Sequence, residues 1–249
     1  MKIVFKKILQ YYLKYIVKII LLIHRPFIIA IAGSSNKIFA KEKIISLLKE
    51  KGIDAYSNPK SFNTEIGLPL AILDLPSGYN SYADWLSTVL KAPIQIFKIN
   101  FPKILVLELG ISSPADMKFL LSIIKPDIGV ITQITSRYLE SFKNIGELLA
   151  EYEYFIKKMP KESLLVLNYD NLFIRKMANI NKNKVLFFGF SDKADWQGKL
   201  LKKDAFGQKI LIRHGEKKEE YNLKKYGEHH IYSLLISLIV KEYVSKKEV

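Results

Sequence analysis

The sequence predicts an α/β fold, a mostly parallel sheet with helices on both faces, preceded by an N-terminal amphipathic helix. Three observations carry this. Apolar runs, FIIAIA at 27–32, ILVLEL at 104–109 with Glu108 near its end, and LLVL at 164–167, have the length and character of strands buried on both faces. Stretches with helical character alternate with them, and small or polar residues follow the runs. With 249 residues and 49% hydrophobic content, the chain can build one large α/β domain or two small ones.

Residues 1–25 form a segment of their own. Lys2, Lys6, Lys7, Lys14, Lys18 and Arg25 are its charges, and it contains no acid. In a helix, Lys2, Lys6, Gln10, Lys14 and Lys18 recur every four residues. Each step drifts about 40° round the axis, so they make one broad polar stripe. Ile, Val, Leu, Phe and Tyr fill most other positions. The charge-free run 19–23 is far short of the ~20 residues a membrane span needs. An Ala30-Ile31-Ala32 cleavage site would cut into a predicted core strand, which argues against a signal peptide. The segment is expected to lie on an anionic membrane surface, with packing on the domain or on a partner as the alternative.

Pro26 ends this helix, and residues 26–249 form the main domain. Strand 27–32 leads into Gly33, Ser34, Ser35, Asn36 and Lys37, a small-residue loop, and then into a helix over about 41–51 stopped by Gly52. Strand, loop and helix in this order are the layout of a phosphate-binding turn. After strand 104–109 come a helix at 114–124, a strand at 127–134 and a helix at 147–158. Strand 164–167 follows, then strands at 185–188 and 210–213 and a closing helix at 229–244. Residues 76–103 read as a less regular insertion rich in Pro and aromatics.

Composition narrows the functional classes. Cysteine is absent, which excludes disulfides and thiolate metal sites and agrees with a reducing cytoplasm. The net charge of +15 suits nucleic acid, an anionic membrane or a phosphorylated ligand, or is simply a lysine-rich solvated surface. The chain carries no aromatic–basic RNA motif, zinc finger or basic zipper, so nucleic acid is not an expected partner.

In parallel α/β sheets ligands bind at the carboxyl ends of the strands. The polar residues there are 33–37, 108–110, 132–138 and 168–170. In order, their blocks resemble the Mur ligases. Residues 27–42 (FIIAIAGSSNKIFAKE) are similar to that family's strand and P-loop, G-[ST]-x-G-K-T-[ST]. Residues 63–70 (NTEIGLPL) resemble its N-x-E-x-G-x-P loop. Residues 105–110 (LVLELG) match the strand carrying a metal-binding Glu. Residues 125–140 (KPDIGVITQITSRYLE) resemble K-P-D-x-[AG]-V-[IV]-T-N-I-x-x-x-H-L-E. Residues 167–171 (LNYDN) and 227–232 (GEHHIY) are similar to two adenine-side motifs. The resemblance is nearly collinear from Pro26 to Val244.

The resemblance implies a P-loop NTPase-like central domain that uses ATP and Mg²⁺ to phosphorylate a carboxylate, which an amine then attacks to form an amide. It implies nucleotide contacts at Gly33, Ser34, Ser35, Asn36, Lys37, Asn168, Asp170, His229 and His230, and a metal ligand at Glu108. Plainer roles stand beside these. Lys37 can be a surface lysine, and Glu108 a helix cap or a partner of Lys37. Asn168 and Asp170 can be turn formers, and the two histidines can cap and orient the last helix.

The departures are equally specific. Asn36 replaces a P-loop glycine, and Ile38 and Phe39 replace its hydroxyls. Tyr138 stands at the metal-binding His, and residues 149–154 (LAEYEY) carry no lysine to carbamylate. The Mg²⁺ ligand set is therefore incomplete. The helix 1–25 stands where the family has an N-terminal domain, and the chain ends soon after the central domain. Two functions follow as expectations: a non-catalytic or weakly nucleotide-binding relative at the inner face of the cytoplasmic membrane, or the ATP-binding part of a split ligase completed by a separate C-terminal domain. A generic P-loop NTPase is disfavoured, because no Walker-type Asp pair accompanies the loop.

Overall fold

One nine-stranded sheet organises the described residues, which in this computed structural model are 2–79, 81–136 and 141–247. Its strands are β1 (Phe27–Ala32), β2 (Ala55–Ser57), β3 (Ile104–Glu108), β4 (Ile128–Ile131), β5 (Leu164–Asn168), β6 (Lys184–Gly189), β7 (Trp196–Asp204), β8 (Gly207–His214) and β9 (Lys217–Leu223). They lie in the order β2-β3-β1-β4-β5-β6-β7-β8-β9. The pairs from β2 to β7 are parallel, and β7, β8 and β9 form an antiparallel meander.

Burial on both faces explains the apolar runs. From β1, Ile28, Ala30 and Ala32 pack toward α1 (Lys2–His24), α3 (Gly67–Leu73), α5 (Asp116–Leu121), α6 (Ile145–Lys158) and α7 (Leu172–Met177). Ile29 and Ile31 point the other way, toward α2 (Lys37–Glu50) and α8 (Glu228–Lys246). Gly129 of β4 must be small, because a Cβ there would lie 2.8 Å from the Met159 methyl.

The strand order also places the site. From β1 the chain crosses through α2 to β2 and β3 on one side. It then returns through α5 to β4 on the other side. The order therefore reverses at β1, and the crevice at such a reversal is where open α/β sheets bind ligands. The loop 33–37 leaves β1 at this point.

The predicted boundaries need correction in several places. α2 begins at Lys37 rather than 41, so the helix N-terminus abuts the loop directly. The strand expected at 127–134 ends at Ile131, because Thr132 onward turns to hold the loop. The helix expected at 114–124 covers only Asp116–Leu121. The insertion 76–103 contains α4 (Tyr82–Lys91), capped by the Ser81 hydroxyl, and a 3₁₀ turn at Pro93–Phe97. The single strand expected at 210–213 is the middle of the meander.

α1 is not an isolated segment. Leu9, Leu13, Ile16, Val17 and Ile20 are buried in the core on the α3 side of the sheet. The expected polar stripe runs along one flank of the helix, where Gln10 and Lys14 are half-buried. A second set of apolar side chains on the same helix remains exposed. Among the described residues no helix is long and apolar enough to cross a membrane.

Candidate nucleotide-binding site

The loop from β1 to α2 is held by the segment that follows β4. Ser34 N donates to Gln133 O at 2.7 Å, and the Thr132 hydroxyl donates to Ser35 O at 2.6 Å. The Ser34 hydroxyl sits 3.3 Å from Thr135 O and from the Tyr152 hydroxyl. Gly33 adopts φ +141°, and a Cβ there would fall 2.1 Å from Thr132 Oγ1. Only glycine fits this close approach. Asn36 takes the left-handed conformation, φ 65°, which asparagine tolerates better than most residues.

Two departures from the family pattern meet at the mouth of this loop. Asn36 Nδ2 donates to Gln133 Oε1 at 3.2 Å, and the Ser35 hydroxyl donates to the same oxygen at 3.1 Å. Asn36 stands at a family glycine and Gln133 at a family asparagine. Each brings extra side chain, and the two amides satisfy one another across the loop.

The charged centre lies beside it. Lys37 is half-buried, and its ammonium donates to Gly33 O at 2.6 Å. Burial pushes its pKa below the usual lysine value, and the negative charge of Glu108 partly opposes that shift. Glu108 lies on the neighbouring strand, in register with Ile31 two residues before the loop. One of its carboxylate oxygens accepts from Asn63 Nδ2 at 2.9 Å, and the other lies 3.7 Å from the Lys41 ammonium. Asn58 clamps the Glu108 backbone, accepting from its N–H at 2.8 Å and donating to its carbonyl at 3.0 Å. Lys41 is buried and also donates to Asn58 O at 2.6 Å. Its pKa too is lowered by burial and raised in part by Glu108.

Lys41, Asn58, Asn63 and Gln133 were not singled out in the sequence. Lys41 had a usable signal, since it follows Lys37 by four residues and so shares its helix face. Asn58, fifty residues from the Glu108 it clamps, had none.

The remaining candidates divide into two groups. Asn168 joins the loop network: its Nδ2 donates to Thr132 O at 2.8 Å, and its Oδ1 accepts from Asp170 N at 2.9 Å. The exposed Asp170 lies outside that network. It accepts from Phe190 N, Ser191 N and the Tyr232 hydroxyl, at 2.7, 3.1 and 2.9 Å, and so fixes the turn after β6 to α8. Burial and Asp170 together raise the Tyr232 pKa.

His229 packs tilted and His230 edge-on against Phe39, with ring centroids at 4.6 and 5.2 Å, and the two join the first turn of α8 to that of α2. His230 is held toward its neutral form by burial, by His229 and by Lys225. His230 and Phe39 also line a cleft of about 460 Å³, together with Lys43, Lys224 and Lys225. Glu42 lines it too, and an aromatic wall beside three lysines and one carboxylate has the chemistry to receive a flat base.

Residues 149–154 contribute otherwise than by a lysine. Glu151 is buried and accepts from Ala115 N and Met117 N at 2.7 and 2.8 Å, holding the first turn of α5. Tyr152 brings its hydroxyl to Ser34. Tyr138 lies outside the described residues. Among the described residues, no cluster of three His, Asp or Glu side chains could hold a metal ion.

Comparison with known proteins agrees with this geometry. The chain is 29% identical over 213 residues to the UDP-N-acetylmuramoyl-tripeptide–D-alanyl-D-alanine ligase of Borreliella burgdorferi, covering 83% of this chain and 39% of that one. It is 30% identical over 172 residues to the ligase of the same description from Buchnera aphidicola, covering 64% and 32%. The fold superposes on the MurF ligase from Thermotoga maritima, solved in complex with ADP, with a TM-score of 0.77 at 22% identity, over 95% of this chain and 49% of that one. The chain thus spans between a third and a half of the length of these relatives. The model of the Mur ligase middle domain matches residues 31–241, and the chain belongs to that family.

Proposed function

We propose that this chain is a nucleotide-binding Mur ligase relative that docks a nucleotide phosphate on residues 33–37 without carrying out Mg²⁺-dependent phosphoryl transfer, in the setting of peptidoglycan precursor synthesis. The observation that carries this reading is the loop mouth, where Asn36, Ser35 and Gln133 are bonded to one another. The next two positions, Ile38 and Phe39, offer no oxygen.

A Mg²⁺ ion demands near-octahedral oxygen coordination. The hydroxyls nearest the loop, on Ser34, Ser35 and Thr132, all bond to protein groups. Both carboxylate oxygens of Glu108 face an amide or an ammonium. This donor set does not fit the ion. Phosphate docking needs less. The first turn of α2 opens at the loop and Lys37 stands beside it, and helix N-termini bind phosphate without metal.

A second reading, the ATP-binding part of a split ligase, is favoured by Lys37, at the start of α2, and Glu108, at the end of β3, being kept close enough for their charges to interact. The two separate in one assay. Phosphate release is measured with ATP, Mg²⁺ and a muramoyl-peptide acceptor, with and without a C-terminal domain supplied from a relative. The expected result is release at background in both. Losing one stabilising group for the transferred phosphoryl commonly costs on the order of 100-fold, and several are missing. Robust turnover that Lys37→Ala abolishes would establish the split ligase instead.

A further inference from the structure

α1 carries two apolar faces, and only one of them is covered. Leu9, Leu13, Ile16, Val17 and Ile20 form the inner face, in the core. Val4, Ile8, Tyr11, Tyr15, Ile19 and Leu22 repeat at steps of three and four residues, which sets them in one line along the helix. All six are exposed, Ile8 at 63% and Leu22 at 70%. At 1.5 Å per residue the line is about 27 Å long. Lys7, Lys14 and Lys18 follow each other at helical spacing along one border of it, and the exposed Arg25 stands just past the helix end. The Lys14 ammonium lies 5.4–5.9 Å from the ring centres of Tyr11, Tyr15 and Phe119.

A second apolar ridge adjoins the helix. The Tyr12 hydroxyl donates to Val89 O at 2.9 Å, fastening α4 to α1. α4 and the turn after it expose Leu86, Leu90, Ile94 and Phe97, the last at 82%, and Ile99 just beyond is exposed as well.

We propose that the outer face of α1, with this neighbouring ridge, docks on an anionic lipid bilayer surface. The helix lies in the plane of the interface: its apolar line enters the headgroup–acyl boundary and its lysine border meets lipid phosphates. Charge complementarity selects this occupant. The helix has no acid and the chain carries a net charge of +15, so a second copy would bring like charges together. Tyrosines along an apolar line also suit an interface that is greasy on one side and wet on the other. The inner face stays in the core, so the domain is carried flat against the membrane by a helix that is already part of its fold.

The test is flotation of the full chain with vesicles of phosphatidylcholine alone and of phosphatidylcholine mixed with phosphatidylglycerol. Deleting α1 would open the core, so surface variants are used: Ile8→Ser/Tyr15→Ser/Ile19→Ser/Leu22→Ser for the apolar line, and Lys7→Gln/Lys18→Gln/Arg25→Gln for the border. The wild type is expected to prefer the anionic vesicles by about tenfold or more and to release them at high salt. The border variant is expected to lose on the order of a hundredfold in partitioning, about fivefold per cation. The apolar-line variant is expected to stay unbound, with its thermal melt unchanged. Equal binding to both vesicle types, or wild-type binding by the apolar-line variant, overturns the proposal. So does a dimer in gel filtration that the apolar-line variant dissolves while vesicles capture nothing, because the face would then belong to a second copy.

Discussion

Lys37 donates to the carbonyl of Gly33, the residue that opens its own loop, and is kept charged in part by Glu108. Its pKa lies below the ordinary 10.5 because burial penalises the ammonium. A docked phosphate would favour that ammonium. ADP affinity should therefore fall as pH rises through the depressed pKa of Lys37, at lower pH than an ordinary lysine would produce. Stability moves the other way. Between the folded pKa and 10.5 the unfolded chain holds more protons, so the contribution of Lys37 to stability rises with pH. Isothermal titration with ADP across the alkaline range checks this. Lys37→Ala should weaken binding and remove most of the slope, and an unchanged slope in that variant would assign it to another group. Much of this residue-level site was legible, since Gly33, Lys37 and Glu108 follow apolar runs whose ends must converge in a parallel sheet. Asn58 and Gln133 were not, and Lys41 only as a neighbour of Lys37 on one helix face. Their roles arise from contacts across strands, and sequence spacing carries no trace of a partner fifty or a hundred residues away.

At the scale of elements, legibility followed burial. β1, β3 and β5 are covered on both faces, so their sequences are apolar up to the site residues Glu108 and Asn168 that end β3 and β5. β7 and β9 are not: Lys199, Lys202, Lys203, Lys217 and Lys218 are exposed, and the strands are held by hairpin pairing. Such strands give no apolar run to read. α4 was legible and missed: Trp85, Leu86, Val89 and Leu90 recur at helical spacing behind the capping Ser81. Asp127, just before β4, shows how the elements are fastened. Its carboxylate accepts from Ile28 N at 2.8 Å, and its backbone N–H donates to Ile28 O. Burial raises the Asp127 pKa despite that bond. The folded state therefore binds more protons than the unfolded chain between 3.8 and the raised value, and stability from this group falls as pH rises through that window. Asp127→Ala should cost about 1–3 kcal/mol at neutral pH by stranding the Ile28 amide. Asp127→Asn keeps an acceptor and should cost far less. Urea denaturation of the two variants checks the difference, and equal losses would show that the bond to Ile28 contributes nothing.

Seen whole, the molecule is a Mur ligase middle domain in which Gly33 lets the loop after β1, proposed above as a phosphate site without its metal, approach Thr132 closely. The sheet order sets this loop at the strand-order reversal and at the N-terminus of α2, the place where such a sheet would receive the proposed anion. Asn36 and Gln133 bond to one another across the loop, and Ile38 and Phe39, which follow it, carry no side-chain oxygen. Nucleotide binding and Mg²⁺ dependence should therefore come apart in this chain, whereas in an active phosphoryl-transfer site the ion bridges the phosphates and the two rise and fall together. Calorimetric titration with ATP, run with Mg²⁺ and with the metal chelated, measures that separation directly. The same affinity is expected in both, lowered in each by Lys37→Ala. An affinity that rises with Mg²⁺ by more than about tenfold, about 1.4 kcal/mol, would contradict it.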